Sequence, residues 1–215
     1  MAMSAVKTQV PTESWVPMAW EAYVTLLKEA SLKSAKGYYH KGHGRFEMLP
    51  VGPKHAKDHA VTSNAINLFC ILRSIPITVL DNASYRKAGY DECQPDLSAY
   101  IGEKANRVPS SGGFIDLNLR VAPDLAVEVA NTSFLDDIGT KRSLYETLEI
   151  SEYWIINVAK AEVIGFEILN QGSQRITVSK QLPGFELSIL EEAISRSRSA
   201  DQSQVGNWLM QQFQP

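Results

Sequence analysis

Cysteine is scarce: Cys70 and Cys93 are the only two in 215 residues. They form no Cys-x-x-Cys pair, and Cys70 sits inside the apolar run Leu68-Phe69-Cys70-Ile71-Leu72. A disulfide framework and a cysteine zinc site are therefore set aside. No stretch of about 18 apolar residues occurs, which argues against a transmembrane helix. The opening residues MAMSAVKTQVPTESW hold no apolar signal core, so a cytoplasmic protein with no membrane partner is expected. Positive charge is not in excess either. A formal net charge of −3 gives no overall footprint for nucleic acid, whose tight non-specific binding draws on a basic surface that releases counterions. A cluster of metal-binding carboxylates would itself lower the net charge, and a local basic strip can coexist with one.

What is present suits a folded domain. Hydrophobic residues make up 44% of the chain, ample for a core and contrary to general disorder. The length fits a single domain over residues 1–215, with a loose polar lead at 1–14 and C-terminal helices over 186–215 packed on the core.

Trp20, Tyr23, Val24 and Leu27 fall at helical spacing and predict a helix from Trp15 to about Leu32. Tyr38 to Met48 reads as two extended pieces around the Gly42-His43-Gly44 turn, and Pro50-Val51-Gly52-Pro53 as a break. A long helix follows from about His55 to Arg73, with Ile66, Phe69 and Leu72 on its inner stripe, then a short strand at Ile77–Leu80. Residues 81–94 read as irregular and 102–113 as a loop. Between them, Pro95 to Ile101 alternates in the two-residue period of a strand. Strand Asp124–Val129, a helix from about Asp136 to Leu148 and strand Tyr153–Val158 come next. The last of these is apolar on both faces, as in a sheet covered on both sides. Val163–Ile168 and Arg175–Ser179 complete a meander before helices at Ile189–Arg196 and Gln202–Phe213. The fold class is α/β (α+β), a mixed sheet flanked by helices.

Two acids stand out. Asp96 opens one strand, and Glu128 lies near the end of another, on the face of Asp124 and Ala126 and opposite Leu125, Val127 and Val129. A glutamate there is costly to bury unless paired or metal-bound. Two carboxylates on adjacent strands suit Mg²⁺ or Mn²⁺, which can polarise a phosphodiester and acidify a water. The plainer alternative is that each acid caps a strand end at the solvent edge. In the following helix Lys141, Leu144, Tyr145 and Leu148 recur at i, i+3, i+4 and i+7, so Lys141 shares the inward stripe and points back toward Glu128. It would orient a water or steady phosphate charge, or else snorkel from the stripe edge. Arg142 and Glu146 pair at i, i+4 on another face.

The stretches Gln94-Pro95-Asp96-Leu97-Ser98, Pro123-Asp124-Leu125-Ala126-Val127-Glu128-Val129, Asp137 to Glu146 and Glu152-Tyr153-Trp154-Ile155-Ile156 resemble the signature of a restriction-endonuclease-like (Uma-type) family. That family is abundant in cyanobacteria and belongs to the PD-(D/E)XK nuclease superfamily. The likeness runs over roughly residues 38–213, from Glu47-Met48-Leu49-Pro50 to the tail Trp208–Phe213. It implies a restriction-endonuclease-like mixed sheet, a site at two strand ends, and divalent-metal cleavage of DNA. By position Asp96 matches the PD aspartate and Glu128 the acid of (D/E)XK. The superfamily lysine is replaced by Ala130, and Lys141 on the next helix fits its role.

Asp124 is a rival to Asp96, since Pro123-Asp124 is also a PD pair, although one strand does not supply two-strand geometry. Glu47 is an auxiliary metal ligand or an exposed strand acid. His55 and His59, at i, i+4, lack the glutamate of a zinc helix, and His55 is expected to cap its helix or line the cleft. Tyr38-Tyr39-His40-Lys41 and Ser84-Tyr85-Arg86-Lys87 either contact nucleic acid or form solvated edges. The apolar helix with Val205, Trp208, Leu209 and Phe213 covers its own sheet or makes a homodimer contact. Besides an endonuclease, the sequence admits a nuclease-fold binding module without cleavage and a small phosphoester hydrolase.

Overall fold

The computed structural model describes residues 10–48, 51–110, 112–170 and 172–214. The first nine residues of the expected lead, and Leu49 with Pro50 of the expected break, lie outside the described residues. Strands run at Val16–Pro17 (β1), Lys36–His40 (β2), His43–Glu47 (β3), Ile77–Asp81 (β4), Tyr85–Lys87 (β5), Asp91–Cys93 (β6), Leu97–Ile101 (β7), Ile115–Asp116 (β8), Leu125–Ala130 (β9), Glu152–Asn157 (β10), Glu162–Leu169 (β11) and Gly172–Ile176 (β12). Helices run at Trp20–Leu26 (α1), Pro53–Leu72 (α2), Phe134–Asp136 (α3), Arg142–Thr147 (α4), Leu187–Arg196 (α5) and Gln202–Gln212 (α6).

The strands form two mixed sheets of six. The first has the order β12-β11-β10-β9-β7-β4 and the second β1-β3-β2-β6-β5-β8. In the first sheet only β9 and β10 run parallel. β10 is buried at every position, as expected for a strand covered on both sides. One face of this sheet presents Leu97, Ala99, Leu125, Val127, Val129, Trp154 and Ile156, which pack against Phe69 of α2, Leu190 and Ile194 of α5, and Val205 and Leu209 of α6. The other face presents Tyr100, Ala126, Ala130, Tyr153 and Ile155 to Tyr38, Tyr85 and Cys93 of the second sheet and to Leu144 and Tyr145 of α4.

The long α2 begins at Pro53, where the missing N–H costs no helical bond, and it stops before Ser74, whose φ is +53°. Its first half is tied to the C-terminal part by Arg198, which donates two bonds to the buried Asp58 at 2.5 and 2.7 Å. Asp201 caps α6 by accepting from the Gln204 N–H at 2.9 Å. Both C-terminal helices thus lie on the core, and Val205, Leu209 and Phe213 are buried there. Cys70 and Cys93 are buried and free.

The α/β expectation holds, with one substantial correction: a second sheet, not helices alone, covers the inner face. Residues 81–94, read as irregular, supply β5 and β6, and the expected helix at 15–32 is β1, α1 and a 3₁₀ turn at Ala30–Leu32. These strands are two or three residues long, too short for a two-residue period to emerge. They gain their order by pairing with distant partners, as where Tyr39 of β2 faces Glu92 of β6. The hairpin also turns at Lys41-Gly42, one residue earlier than expected, with φ of +47° and +76°.

Candidate functional site

β7 and β9 are antiparallel, with Leu97 opposite Val127 and Ser98 opposite Ala126. Continuing that register by one residue sets Asp96 across from Glu128 on the inner face. Both are buried, at 4% and 2% exposure, so each needs compensation. The compensation comes from β2, whose side chains alternate. Lys36 places its Nζ 2.5 Å from Asp96 Oδ1, and two residues on the Tyr38 hydroxyl, its one proton shared with the Gln94 carbonyl at 2.8 Å, lies 3.0 Å from Glu128 Oε1. Asp96 Oδ2 accepts the Val129 N–H at 2.7 Å and lies 3.5 Å from His55 Nε2. Glu128 Oε1 also accepts from the Tyr145 hydroxyl at 2.6 Å. Sequence reasoning misses Lys36 and Tyr145 as site residues and places Tyr38 only in a cluster that contacts nucleic acid or forms a solvated edge.

The two acids therefore differ in kind. Burial alone would raise the Asp96 carboxyl, but the His55 hydrogen bond and the Lys36 charge hold it well below the usual carboxylate range. Glu128 meets phenols and only a more distant ammonium. Burial pushes it up to about 8, Lys141 pulls it partly back, and Asp96 adds to the rise.

Lys141 is buried, and three carboxylates surround it: Glu47 Oε1 at 2.8 Å, Asp137 Oδ1 at 2.9 Å and Glu128 Oε1 at 3.5 Å. Its ammonium also lies 4.1 Å from the centre of the Tyr38 ring. Those anions outweigh the desolvation that would otherwise lower its pKa, and the group is held well above the ordinary lysine value. The expected single helix is here interrupted by one turn of π-helix at Asp137–Lys141, between α3 and α4. Asp137, in the first turn of that expected helix, is fully buried, accepts from Ser133 Oγ at 2.7 Å, and has its pKa raised, chiefly by burial. The Arg142–Glu146 pair forms at 3.6 Å, as expected.

Glu47 sits at the end of β3, directly across from Lys36. It also accepts from the buried Arg45 Nε at 2.8 Å. Its burial is outweighed by Lys141 and Arg45, which lower its pKa. Six carboxylates (Glu13, Glu47, Asp96, Glu128, Asp136 and Asp137) thus face three cations (Lys36, Arg45 and Lys141). Carboxylates are left in excess over cations.

A cleft of about 190 Å³ opens over this cluster, lined by Lys36, Glu47, His55, Asp96, Glu128 and Val129 among others. Asp96, Glu128, Glu47 and His55 therefore meet in one place, with Lys141 just behind at 1% exposure. Asp124 does not join them. It lies at the other end of the β9 face, accepting the Ile101 N–H at 2.8 Å and pairing with Lys104 at 2.7 Å. His59 turns toward Asp81 at 3.2 Å, not toward His55. The two aromatic-basic clusters offer no stacking surface: Tyr38, Tyr39, His40 and Tyr85 are buried, and Arg86 pairs with Glu92 at 2.7 Å. His40 is held between Asp91 at 2.6 Å and Ser143 at 3.2 Å, joining β2 to β6 and α4.

Among the described residues, no group of three or more His, Cys, Asp or Glu side chains is already arranged around a common metal position. No helix among them is long and apolar enough to cross a membrane.

Of solved structures, the chain is similar to one described as a putative nuclease belonging to DUF820, from Anabaena variabilis ATCC 29413. The likeness covers 90% of this chain and 99% of that one, with a TM-score of 0.57 and 14% identity, and it supports the fold. No curated protein matches the chain. The Uma2 family, described as "Putative restriction endonuclease", matches residues 20–201, which take in the whole cluster from Lys36 to Lys141. The chain belongs to the Uma2 family.

Proposed function

We infer that this chain is an endonuclease that uses Mg²⁺ or Mn²⁺ to hydrolyse DNA phosphodiester bonds, with Asp96 and Glu128 as the metal-holding pair. One observation carries the reading: two buried carboxylates, Asp96 and Glu128, lie side by side at a cleft. The donor set fits a hard divalent ion. Mg²⁺ binds through one or two carboxylates and keeps several waters, so a three-residue protein cage is not required. All three contacts to Glu128 fall on Oε1, and no hydrogen bond reaches Oε2 among the described residues. Such an ion polarises the phosphate and acidifies a water.

The chain's own residues do the rest. Tyr38 and Tyr145 fix the rotamer of Glu128 through Oε1 and leave Oε2 for the cleft. The Val129 N–H and His55 orient Asp96 in the same way. Lys141 acts as a positioning residue, holding Glu47 and Glu128 in register from the π-turn, with Glu47 as an auxiliary ligand. Ala130 belongs to the cluster around Leu144 and Tyr145, and the lysine charge enters from the following helix instead.

A second reading, a nuclease-fold module that binds nucleic acid without cutting, is favoured by the burial of Lys141 away from the cleft surface. Nicking of supercoiled plasmid with either metal separates the two. The endonuclease reading predicts metal-dependent nicks that are lost in Asp96→Ala and Glu128→Ala. Wild-type protein that never nicks with either metal contradicts it. Hydrolysis of small phosphoesters with none of DNA would point to a phosphoesterase.

A further inference from the structure

Two lysines attend the cluster, and they are not equivalent. Lys141 is locked among three carboxylates and an aromatic ring, whereas Lys36 lines the cleft and has one anionic contact, Asp96 Oδ1 at 2.5 Å. The other Asp96 oxygen is already taken by the Val129 N–H at 2.7 Å and faces His55 at 3.5 Å. Both Asp96 oxygens therefore already carry partners, and a cation approaching Oδ1 meets the Lys36 ammonium there.

We propose that Lys36 is a built-in competitor for the metal, and that once displaced it becomes the cation receiving the substrate phosphate. This rests on the reading of Asp96 and Glu128 as a metal site. Two positive charges on one buried carboxylate oxygen repel strongly at low dielectric, so a metal ion at Asp96 drives Lys36 off. The four-carbon stem is flexible and the ammonium is a compact point charge that needs no fixed fork geometry. Anchored at the start of β2, it stays at the cleft where a phosphodiester oxygen would arrive. A phosphate that captures Lys36 in turn frees Asp96. By linkage, metal and nucleic acid then strengthen each other's binding by the same factor. The sequence concealed this role because Lys36 opens a strand whose side-chain partners are distant, Asp96 lying 60 positions from Lys36 and Glu128 90 from Tyr38.

The test titrates Mn²⁺ alone into wild type, Lys36→Gln and Lys36→Arg, then measures binding of a short DNA duplex in Ca²⁺. Lys36→Gln should bind Mn²⁺ about tenfold tighter, within the usual range of site-to-site coupling, and bind the duplex more weakly. Lys36→Arg should follow wild type in both. Unchanged or weaker Mn²⁺ binding by a folded Lys36→Gln overturns the proposal and leaves the metal site standing. Absence of Mn²⁺ binding to wild type overturns both readings together. Wild type alone gives an independent readout by ¹⁵N spectroscopy of lysine ammonium groups. The slowly exchanging Lys36 signal should vanish when Mg²⁺ is added, and its persistence in the metal-bound protein overturns the proposal.

Discussion

Lys141 Nζ stands 2.8 Å from Glu47 Oε1, on a different strand and in a different sheet from Glu128. That contact makes the lysine a bridge between the two sheets as well as a neighbour of the site, and it separates two consequences of removing it. Taking away one partner of a buried ion pair strands the others, at a typical cost of roughly 3–5 kcal/mol. Lys141→Ala should lose about that much in urea denaturation, whatever it does to catalysis. A loss below about 1 kcal/mol, the range of exposed pairs, would mean that Glu47 and Asp137 are satisfied by other means.

Glu128 makes stability depend on pH in a direction opposite to most acids. Its carboxyl titrates at about 8 in the folded chain, against about 4.3 when unfolded. Between those values the folded state binds a proton that the unfolded state has lost, so stability falls as pH rises through this window and levels off above it. Glu128→Gln stays neutral and escapes the loss. Its stability relative to wild type should therefore climb from pH 5 to pH 8 in metal-free buffer. A flat difference across that range would place the Glu128 carboxylate in ordinary solvent contact.

Asp124 and Asp96 each follow a proline, and the geometry sets them at opposite ends of the β7–β9 pair. Asp124→Ala removes the acceptor for the Ile101 N–H and the partner of Lys104, which should cost about 1–3 kcal/mol. Plasmid nicking should be unchanged in that variant and abolished in Asp96→Ala. Equal loss of nicking in both would return Asp124 to the site.

Much of this arrangement was legible in the chain because it follows from local periods. Alternation along 124–129 set Glu128 opposite Val127 and Val129, and helical spacing turned Lys141 inward with Leu144 and Tyr145. What escaped depends on contacts distant in sequence. Lys36 and Tyr38 acquire meaning only when β2 crosses Asp96 and Glu128. Asp137 looks like a first-turn acid until the π-turn and the packing of the helical segment bury it against Lys141. The strands at 85–87 and 91–93 are too short to carry a period, so the second sheet could not be read before its partners were in place.

A divalent ion held between Asp96 and Glu128 should be visible in anomalous diffraction from crystals soaked in Mn²⁺. One strong peak is expected within coordination distance of both carboxylates, absent from Asp96→Asn crystals. Manganese bound elsewhere, with none at this pair, would contradict it.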